Sequence, residues 1–103
     1  MTNYVLLYSG GEMPETEAEQ AAVMQAWGAW MGGMGDALVD GGNPTAASMG
    51  VASDGSVGAA AVAGVSGYSI VSAESMDAAL EIAKGCPILQ SNGQVSVYET
   101  FQM

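Results

Sequence analysis

The chain has 103 residues, the length of one small domain, and half of them are apolar. Its 11 acidic residues are opposed by one basic residue, Lys84, and there is no arginine or histidine, so the formal net charge is −10. The charge excludes nucleic acids and anionic membranes as partners, because both are bound through cationic side chains. The absence of histidine excludes Ser-His-Asp and Cys-His catalysis and histidine-ligated metals. The sequence predicts neither a cofactor nor a metal site.

The cysteine content and the N-terminus bear on the cellular compartment. Cys86 is the only cysteine, which excludes an intrachain disulfide and gives no sign of an oxidising compartment. Residues 1–4 lack the basic segment of a signal peptide. The uncharged run 21–35 is shorter than the roughly 20 residues of a membrane span. We therefore expect a soluble, cytoplasmic protein.

The first third of the chain predicts a strand followed by a long helix. The apolar run Tyr4–Tyr8 is typical of a buried strand. Thr16 and Glu19 have the spacing of a capping box, which predicts a helix that begins there and runs to about Met34. Gly35 is a suitable C-terminal stop. Apolar residues recur at helical spacing and predict the buried stripe of this helix: Val23, Trp27, Trp30, Met31 and Met34.

The middle of the chain is rich in glycine, alanine and serine. Ala37–Asp40 predicts a second strand. Asp54-Gly55 is a hairpin turn signal. We expect one hairpin arm over Ser48–Ala52 and a loose return arm over Ala59–Ala63.

The last third predicts a strand, a helix and a final strand. Gly67–Ala73 is typical of a strand. Ser75 is a candidate N-cap for a second helix that ends at Gly85. After a turn at Asn92-Gly93, the alternating segment Val95–Phe101 predicts the last strand.

The order of elements predicts the fold class. Two β-α-β crossovers with a hairpin or loop between them give an α+β, ferredoxin-like βαββαβ sandwich in one domain, residues 1–103. Helices cover only one face of such a sheet. A second copy can cover the other face, and the predicted assembly is therefore a homodimer, a dimeric α+β barrel.

Five segments carry a family resemblance in their order and spacing: Tyr4–Tyr8, Ala37–Gly42, Gly67–Val71, Ala78–Leu80 with Ala83–Pro87, and Val95–Glu99. Together they resemble the YCII-related family of the dimeric α+β barrel superfamily, over nearly the whole chain. The resemblance implies a ferredoxin-like dimer with a cleft between sheet and helices for small molecules. Family members are mostly small bacterial proteins. Some are regarded as enzymes, and one resembles a dehydrochlorinase of a chlorinated aromatic.

The chain departs from the family pattern at the positions that carry chemistry. Enzyme-like members have a histidine in the first helix, whereas the matching stretch near Met24 has none. Ile88 follows Cys86-Pro87 where a related pattern has histidine. Asp54-Gly55 continues as Ser56-Val57 and not as Pro-Phe. The resemblance therefore supports the fold more than it supports an activity.

Two carboxylates are candidate catalytic residues. Asp40 ends the second strand beside Gly41-Gly42-Asn43, where a carboxylate and an amide would serve as base and orienting group. The alternative is a turn carboxylate bonded to the backbone. Glu99 shares an apolar row with Val95 and Val97, which suggests an acid or base of raised pKa. The alternative is a position at the sheet edge or at the rim of the dimer, where the side chain is not buried.

Candidate ligand-binding residues are Trp27, Asn43, Tyr68 and Tyr98. Aromatic side chains on strands and on the first helix supply ring faces and hydrogen bonds for an apolar or aromatic ligand. The alternative is ordinary core packing. Cys86, at a helix C-terminus, is interpreted as a buried structural residue. The glutamates between residues 12 and 19 are interpreted as caps and solubilising groups rather than as a cation site.

Three functions are compatible with these residues. The first is a homodimer with a candidate cleft for a small apolar or aromatic molecule. The second is a cofactor-free lyase or isomerase that uses Asp40 or Glu99 as its base. The third is a non-catalytic interaction module.

Overall fold

One four-stranded antiparallel sheet organises the chain. The computed structural model describes residues 1–102. In chain order its elements are β1 (Thr2–Gly10), α1 (Glu17–Met34), β2 (Leu38–Asp40), β3 (Gly50–Val51), β4 (Val57–Gly58), β5 (Val65–Ala73), α2 (Met76–Lys84) and β6 (Gly93–Glu99). The sheet has the strand order β2-β5-β1-β6, and β3 and β4 form a separate hairpin. The predicted α+β class is confirmed.

Alternation along β1 and β5 separates the two faces of the sheet. Tyr4, Leu6 and Tyr8 of β1 are buried, and the residues between them are only half-buried. On β5, Ser69 and Val71 lie opposite Leu6 and Tyr4 and belong to the same row. This row packs against Ala79 and Ala83 of α2 and against the half-buried tryptophans of α1 to form the core. Both helices therefore cover one face.

The other face of the sheet, here called the open face, bears the alternate side chains of the three long strands. They are Asn3, Val5, Leu7 and Ser9 on β1, Tyr68, Ile70 and Ser72 on β5, and Gln94, Ser96 and Tyr98 on β6. None of these side chains is charged, although the chain as a whole carries −10. Aliphatic and aromatic groups of the three strands lie beside one another on this face.

Local capping chemistry sets the helix boundaries, as predicted. The Thr16 hydroxyl accepts the N–H of Glu19 at 3.1 Å, and α1 begins directly after Thr16. The helix ends before Gly35, whose φ is +56°. The Ser75 hydroxyl accepts the N–H of Ala78 at 3.2 Å and begins α2. The predicted apolar stripe of α1 is half-buried throughout. Neither helix, among residues 1–102, is long and apolar enough to cross a membrane.

The segment 44–64, here called the arm, projects from the sheet. The turn at Asp54-Gly55 is confirmed, but the return strand lies at Val57–Gly58, so the predicted return over 59–63 is wrong. Asp54 is the only charged residue of the arm, and its four large apolar side chains are exposed: Met49, Val51, Val57 and Val62. With the arm, the radius of gyration is 15.1 Å, against about 13 Å for a chain of this length.

The connection from α2 to β6 contains an element that the sequence pattern did not predict. Pro87–Ser91 forms a short 3-10 helix, and Ile88 of this helix is buried in the core. Asn92 follows with a φ of +61°, which confirms the predicted turn. The last strand is Gly93–Glu99, two residues earlier at both ends than predicted, and Phe101 beyond it is 83% exposed.

Candidate functional site

A cleft of about 530 Å³ opens between α1, the end of β1 and the start of β5. Its walls are predominantly apolar side chains and glycine backbone. The side chains that define it come from α1, from the segment before α1, and from β1 and Ile88. Its opposite rim is the loop Gly41–Pro44 with the start of β5. Small-molecule sites have this size and character.

Aromatic rings form one corner of the cleft. The ring centroids of Tyr8 and Trp27 lie 5.1 Å apart at an interplanar angle of 80°, and the rings of Trp27 and Trp30 lie 5.7 Å apart at 82°. The indole N–H of Trp30 donates to the carbonyl of Ile82 at 3.1 Å, which ties α1 to α2. Helical spacing brings Trp27 to the sheet, and strand alternation turns Tyr8 toward it. Contacts among α1, α2 and β1 therefore fix the orientation of these rings.

A hydroxyl relay fixes the floor of the cleft. The Tyr8 hydroxyl donates to Ser69 Oγ at 2.7 Å, and Ser69 Oγ donates to the carbonyl of Gly41 at 2.7 Å. Ser69 is fully buried. Burial raises the pKa of Tyr8 to about 12, although its bond to Ser69 acts in the opposite direction. The phenol is thus a neutral donor at physiological pH, and it anchors the loop after β2 to the centre of the sheet.

Three features of the rim present polar groups or constrain the backbone. The hydroxyl of Ser66 is buried and has no hydrogen-bond partner among the described residues. The carbonyl of Asn43 accepts the N–H of Tyr68 at 3.3 Å. Gly42 has a φ of +72°, and a Cβ there would overlap the carbonyl of Tyr68. The loop therefore lies against β5 only because residue 42 is a glycine.

Three of the four predicted ligand-binding residues line this cleft. Trp27 stands in the helical wall and Asn43 lies on the loop opposite it. Tyr68 borders the cleft at the start of β5, although strand alternation places its side chain on the open face. Tyr98 does not take part: it belongs to the open face, and its side chain is 52% exposed. The structure thus brings together residues that are up to 41 positions apart in the chain, from Trp27 to Tyr68.

The two candidate catalytic carboxylates lie apart from each other and are not among the cleft-lining residues. Asp40 Oδ1 accepts the backbone N–H of Gly42 at 2.8 Å, and Asp40 is exposed. Glu99 Oε1 accepts the Tyr4 hydroxyl at 3.2 Å near the C-terminal end of β6. Because β2 and β6 are opposite edge strands, three strand spacings separate these residues, about 14 Å. Burial and the Glu99 carboxylate raise the pKa of Tyr4.

Cys86 is buried in the core, as predicted, and forms no disulfide. Burial raises the pKa of its thiol to about 11. A thiol of this kind is protonated at neutral pH and is a poor nucleophile. Nothing among residues 1–102 groups three histidine, cysteine, aspartate or glutamate side chains for a metal ion.

A second depression, the α2–β6 groove, has about the same size, about 570 Å³. Leu80 and Leu89 line it and are 40% and 45% exposed. The ion pair of Lys84 and Glu81, 2.8 Å long, lies on its rim. None of the predicted site residues lines this groove.

Comparison with protein-family models, curated proteins and solved structures finds no significant match. The candidate site therefore rests on the geometry of this chain alone. Sequence reasoning did not single out Ser66, Ser69 or Gly42. A signal existed for Ser69, since alternation places this polar residue in the same row as Val71 and Ala73. The close approach of Gly42 to Tyr68 has no local signal, because it is a contact between distant segments.

Proposed function

We propose that the chain is a YCII-like homodimer that binds a small apolar or aromatic molecule in the cleft between α1 and the sheet. The observation that carries the proposal is the cleft itself. It is large enough for a small aromatic ligand, its walls are apolar, and Tyr8 and Trp27 provide an aromatic corner.

The sheet topology supports the ferredoxin-like assignment within this proposal. α1 connects β1 to β2, and α2 connects β5 to β6. Each pair is parallel with one antiparallel strand between them, because every neighbouring pair in the order β2-β5-β1-β6 is antiparallel. Two split β-α-β units of this kind define a ferredoxin-like sandwich. This arrangement supports the YCII-related resemblance of the sequence.

The distribution of charge supports a homodimer formed through the open face. Two copies of charge −10 repel each other, so a stable contact must avoid the carboxylates. The three long strands place no charged side chain on the open face, and Val5, Leu7 and Ile70 give it an apolar centre, with Asp40 of β2 at its margin beside Ile70. These apolar side chains would gain from burial against a second sheet.

The area of the open face alone is small for a dimer. Strands of nine, nine, seven and three residues, at about 3.4 Å by 4.8 Å for each residue, cover roughly 450 Å². A standard interface buries about 800 Å² on each partner. The arm, with four exposed apolar side chains and one charge, is the available source of further contact area.

Binding to the cleft is tested with N-phenyl-1-naphthylamine, an uncharged aromatic probe whose fluorescence rises in apolar surroundings. At about 0.3 kcal/mol for each non-hydrogen atom, we expect a sub-millimolar Kd. Trp27→Ala removes one wall of the corner and should weaken binding at least about ten-fold. Leu89→Ala, in the α2–β6 groove, is the matched control and should change binding less than about two-fold. The opposite pattern would locate the site in that groove and contradict the proposal.

The homodimer is tested by its dependence on salt. At about 10 mM salt the range of electrostatic repulsion is about 30 Å, which spans an interface, and at about 500 mM it is only a few ångströms. We expect sedimentation equilibrium to show a dimer whose Kd falls by at least about ten-fold between these conditions. A monomer at both would contradict the dimer, and equal affinity at both would contradict the charge argument.

A pair of charge variants locates the interface in the same experiment. Ile70→Asp places a carboxylate in the centre of the open face and should abolish the dimer. Ala29→Asp makes the same change of net charge at an exposed position of α1 and should leave a dimer in high salt. Equal behaviour of the two variants would show that the open face is not the contact.

The two other functions suggested by the sequence gain less support. A lyase or isomerase needs a base within reach of the bound ligand. The carboxylate of Asp40 instead bonds the backbone of its own turn, and Glu99 lies at the far end of the sheet. An interaction module without a ligand would be favoured by a cleft filled with side chains, whereas about 530 Å³ is open.

A further inference from the structure

The mouth of the cleft carries negative charge only. Glu12 is the one charged side chain among the residues that line the cleft. Its Oε1 accepts Asn92 Nδ2 at 2.8 Å, and its backbone N–H donates to the carbonyl of Ser91 at 2.7 Å. The surface that adjoins it around Met13 and Pro14 adds Glu15 and Glu19. The carboxylate is therefore held in place at an entrance that repels anions.

No positive side chain offsets this field near the cleft. Lys84, the only basic residue of the chain, lies on the rim of the α2–β6 groove and pairs with Glu81. A ligand with a carboxylate or phosphate would meet no cationic partner in the cleft. A positively charged ligand would be attracted by both the local carboxylate and the overall charge.

The interior of the cleft also suits an organic cation. Tyr8 and Trp27 meet at 80°, and such perpendicular rings form two walls of a cage for a cation. Tryptophan is the best of the aromatic side chains for a cation above its face. Met13, Met24 and Met31, whose thioethers are polarisable, are also among the lining residues, although Met13 and Met24 are largely exposed at the entrance. A substituted ammonium is weakly hydrated and needs few hydrogen bonds, so these walls bind it without a large desolvation cost.

We propose that the ligand of the cleft is an organic cation, an alkyl-substituted ammonium on a small apolar body. The aromatic corner holds the ammonium group, the methionines hold its apolar substituents, and Glu12 attracts it at the entrance. This inference rests on the proposed function, because it names the ligand class of the same cleft.

Two probes of equal shape separate charge from apolar contact. They are (3-hydroxybenzyl)trimethylammonium and its uncharged carbon isostere 3-neopentylphenol, measured by isothermal titration calorimetry on the full chain. We expect the ammonium to bind at least about ten-fold more tightly than the isostere. Its affinity should fall as salt is raised from about 20 mM to about 500 mM, whereas that of the isostere should not fall.

Two variants with the same change of net charge test the role of the local carboxylate. Glu12→Gln should weaken binding of the ammonium about three- to ten-fold and leave the isostere unaffected. Glu74→Gln, an exposed position after the far end of β5, should change either affinity less than about two-fold. Equal losses in the two variants would overturn the assignment to Glu12.

The remaining outcomes distinguish this inference from the proposed function. If the isostere binds as tightly as the ammonium, and Trp27→Ala weakens both, the cleft is a binding site but its ligand class is not a cation. If neither probe binds but N-phenyl-1-naphthylamine does, the cation is overturned and the cleft is not; if none of the three binds, both are overturned. A preference for the ammonium that Trp27→Ala abolishes supports both.

Discussion

Replacing Ser69 by alanine is expected to lower the free energy of unfolding by about 2–5 kcal/mol, because two buried polar groups lose the partner they share. The Ser69 hydroxyl accepts from Tyr8 and donates to the carbonyl of Gly41, both at 2.7 Å. Ser69 has no exposed surface, so water cannot replace it without a rearrangement. The free energy of unfolding of a small domain is only about 5–15 kcal/mol, and the variant therefore loses a substantial part of its stability.

Ser66→Ala is the matched control for this prediction. The Ser66 hydroxyl is also buried on β5 but has no partner, so its removal should change the free energy of unfolding by less than about 1 kcal/mol. Urea unfolding followed by circular dichroism, at one protein concentration for all variants, measures both effects. Equal losses in the two variants would show that the relay does not stabilise the fold.

Replacing Gly42 by alanine is expected to cost about 3–5 kcal/mol. Its φ of +72° costs an L-residue about 1–2 kcal/mol, and the added Cβ would overlap the carbonyl of Tyr68. The obstacle is backbone, which cannot turn away as a flexible side chain does. The loop Gly41–Pro44 must then move off β5, and the rim of the cleft opens with it.

Gly41, the residue directly before Gly42, provides the matched control. A Cβ at Gly41 would contact Met31 Sδ at 3.6 Å, an ordinary van der Waals distance, and its φ is not positive. Gly41→Ala should therefore cost less than about 1 kcal/mol. Only Gly42→Ala should lower both the Tm of thermal unfolding and the affinity for N-phenyl-1-naphthylamine. A Gly42→Ala variant as stable as Gly41→Ala would refute the close approach of this loop to β5.

Helix boundaries were predictable because their chemistry is local. Thr16 and Ser75 accept backbone N–H groups three residues further on, and such spacing can be read directly from the chain. The return strand of the arm was not predictable in the same way. Val57 pairs with Val51, but the segment around it is rich in glycine, alanine and serine, and a strand of this kind has a weakly specified register.

The candidate site was predictable where periodicity determines orientation. Helical spacing turns Trp27 toward the sheet, and the prediction for this residue needed no long-range information. Tyr98 was assigned to the wrong face for a ligand in this cleft, although its alternation with Val95 and Val97 already placed it opposite the core row. Glu12 could not be assigned from the pattern. Its position depends on a contact with Asn92, 80 residues away.

The uncharged open face also affects how two copies of the chain collide. The three long strands place no carboxylate on that face, and Asp40 of the short edge strand β2, paired with Ile70, is the charged residue at its margin. Two molecules of the proposed dimer that meet sheet to sheet are therefore repelled less than two that meet through their acidic helix ends. The charge pattern therefore selects the geometry of the encounter before any apolar contact is made. At low salt the repulsion discriminates most strongly between orientations, but it also makes collisions between copies rarest. Added salt screens the charges, so collisions become more frequent and less dependent on orientation. In the proposed homodimer, net charge would thus influence which surfaces of two copies meet first.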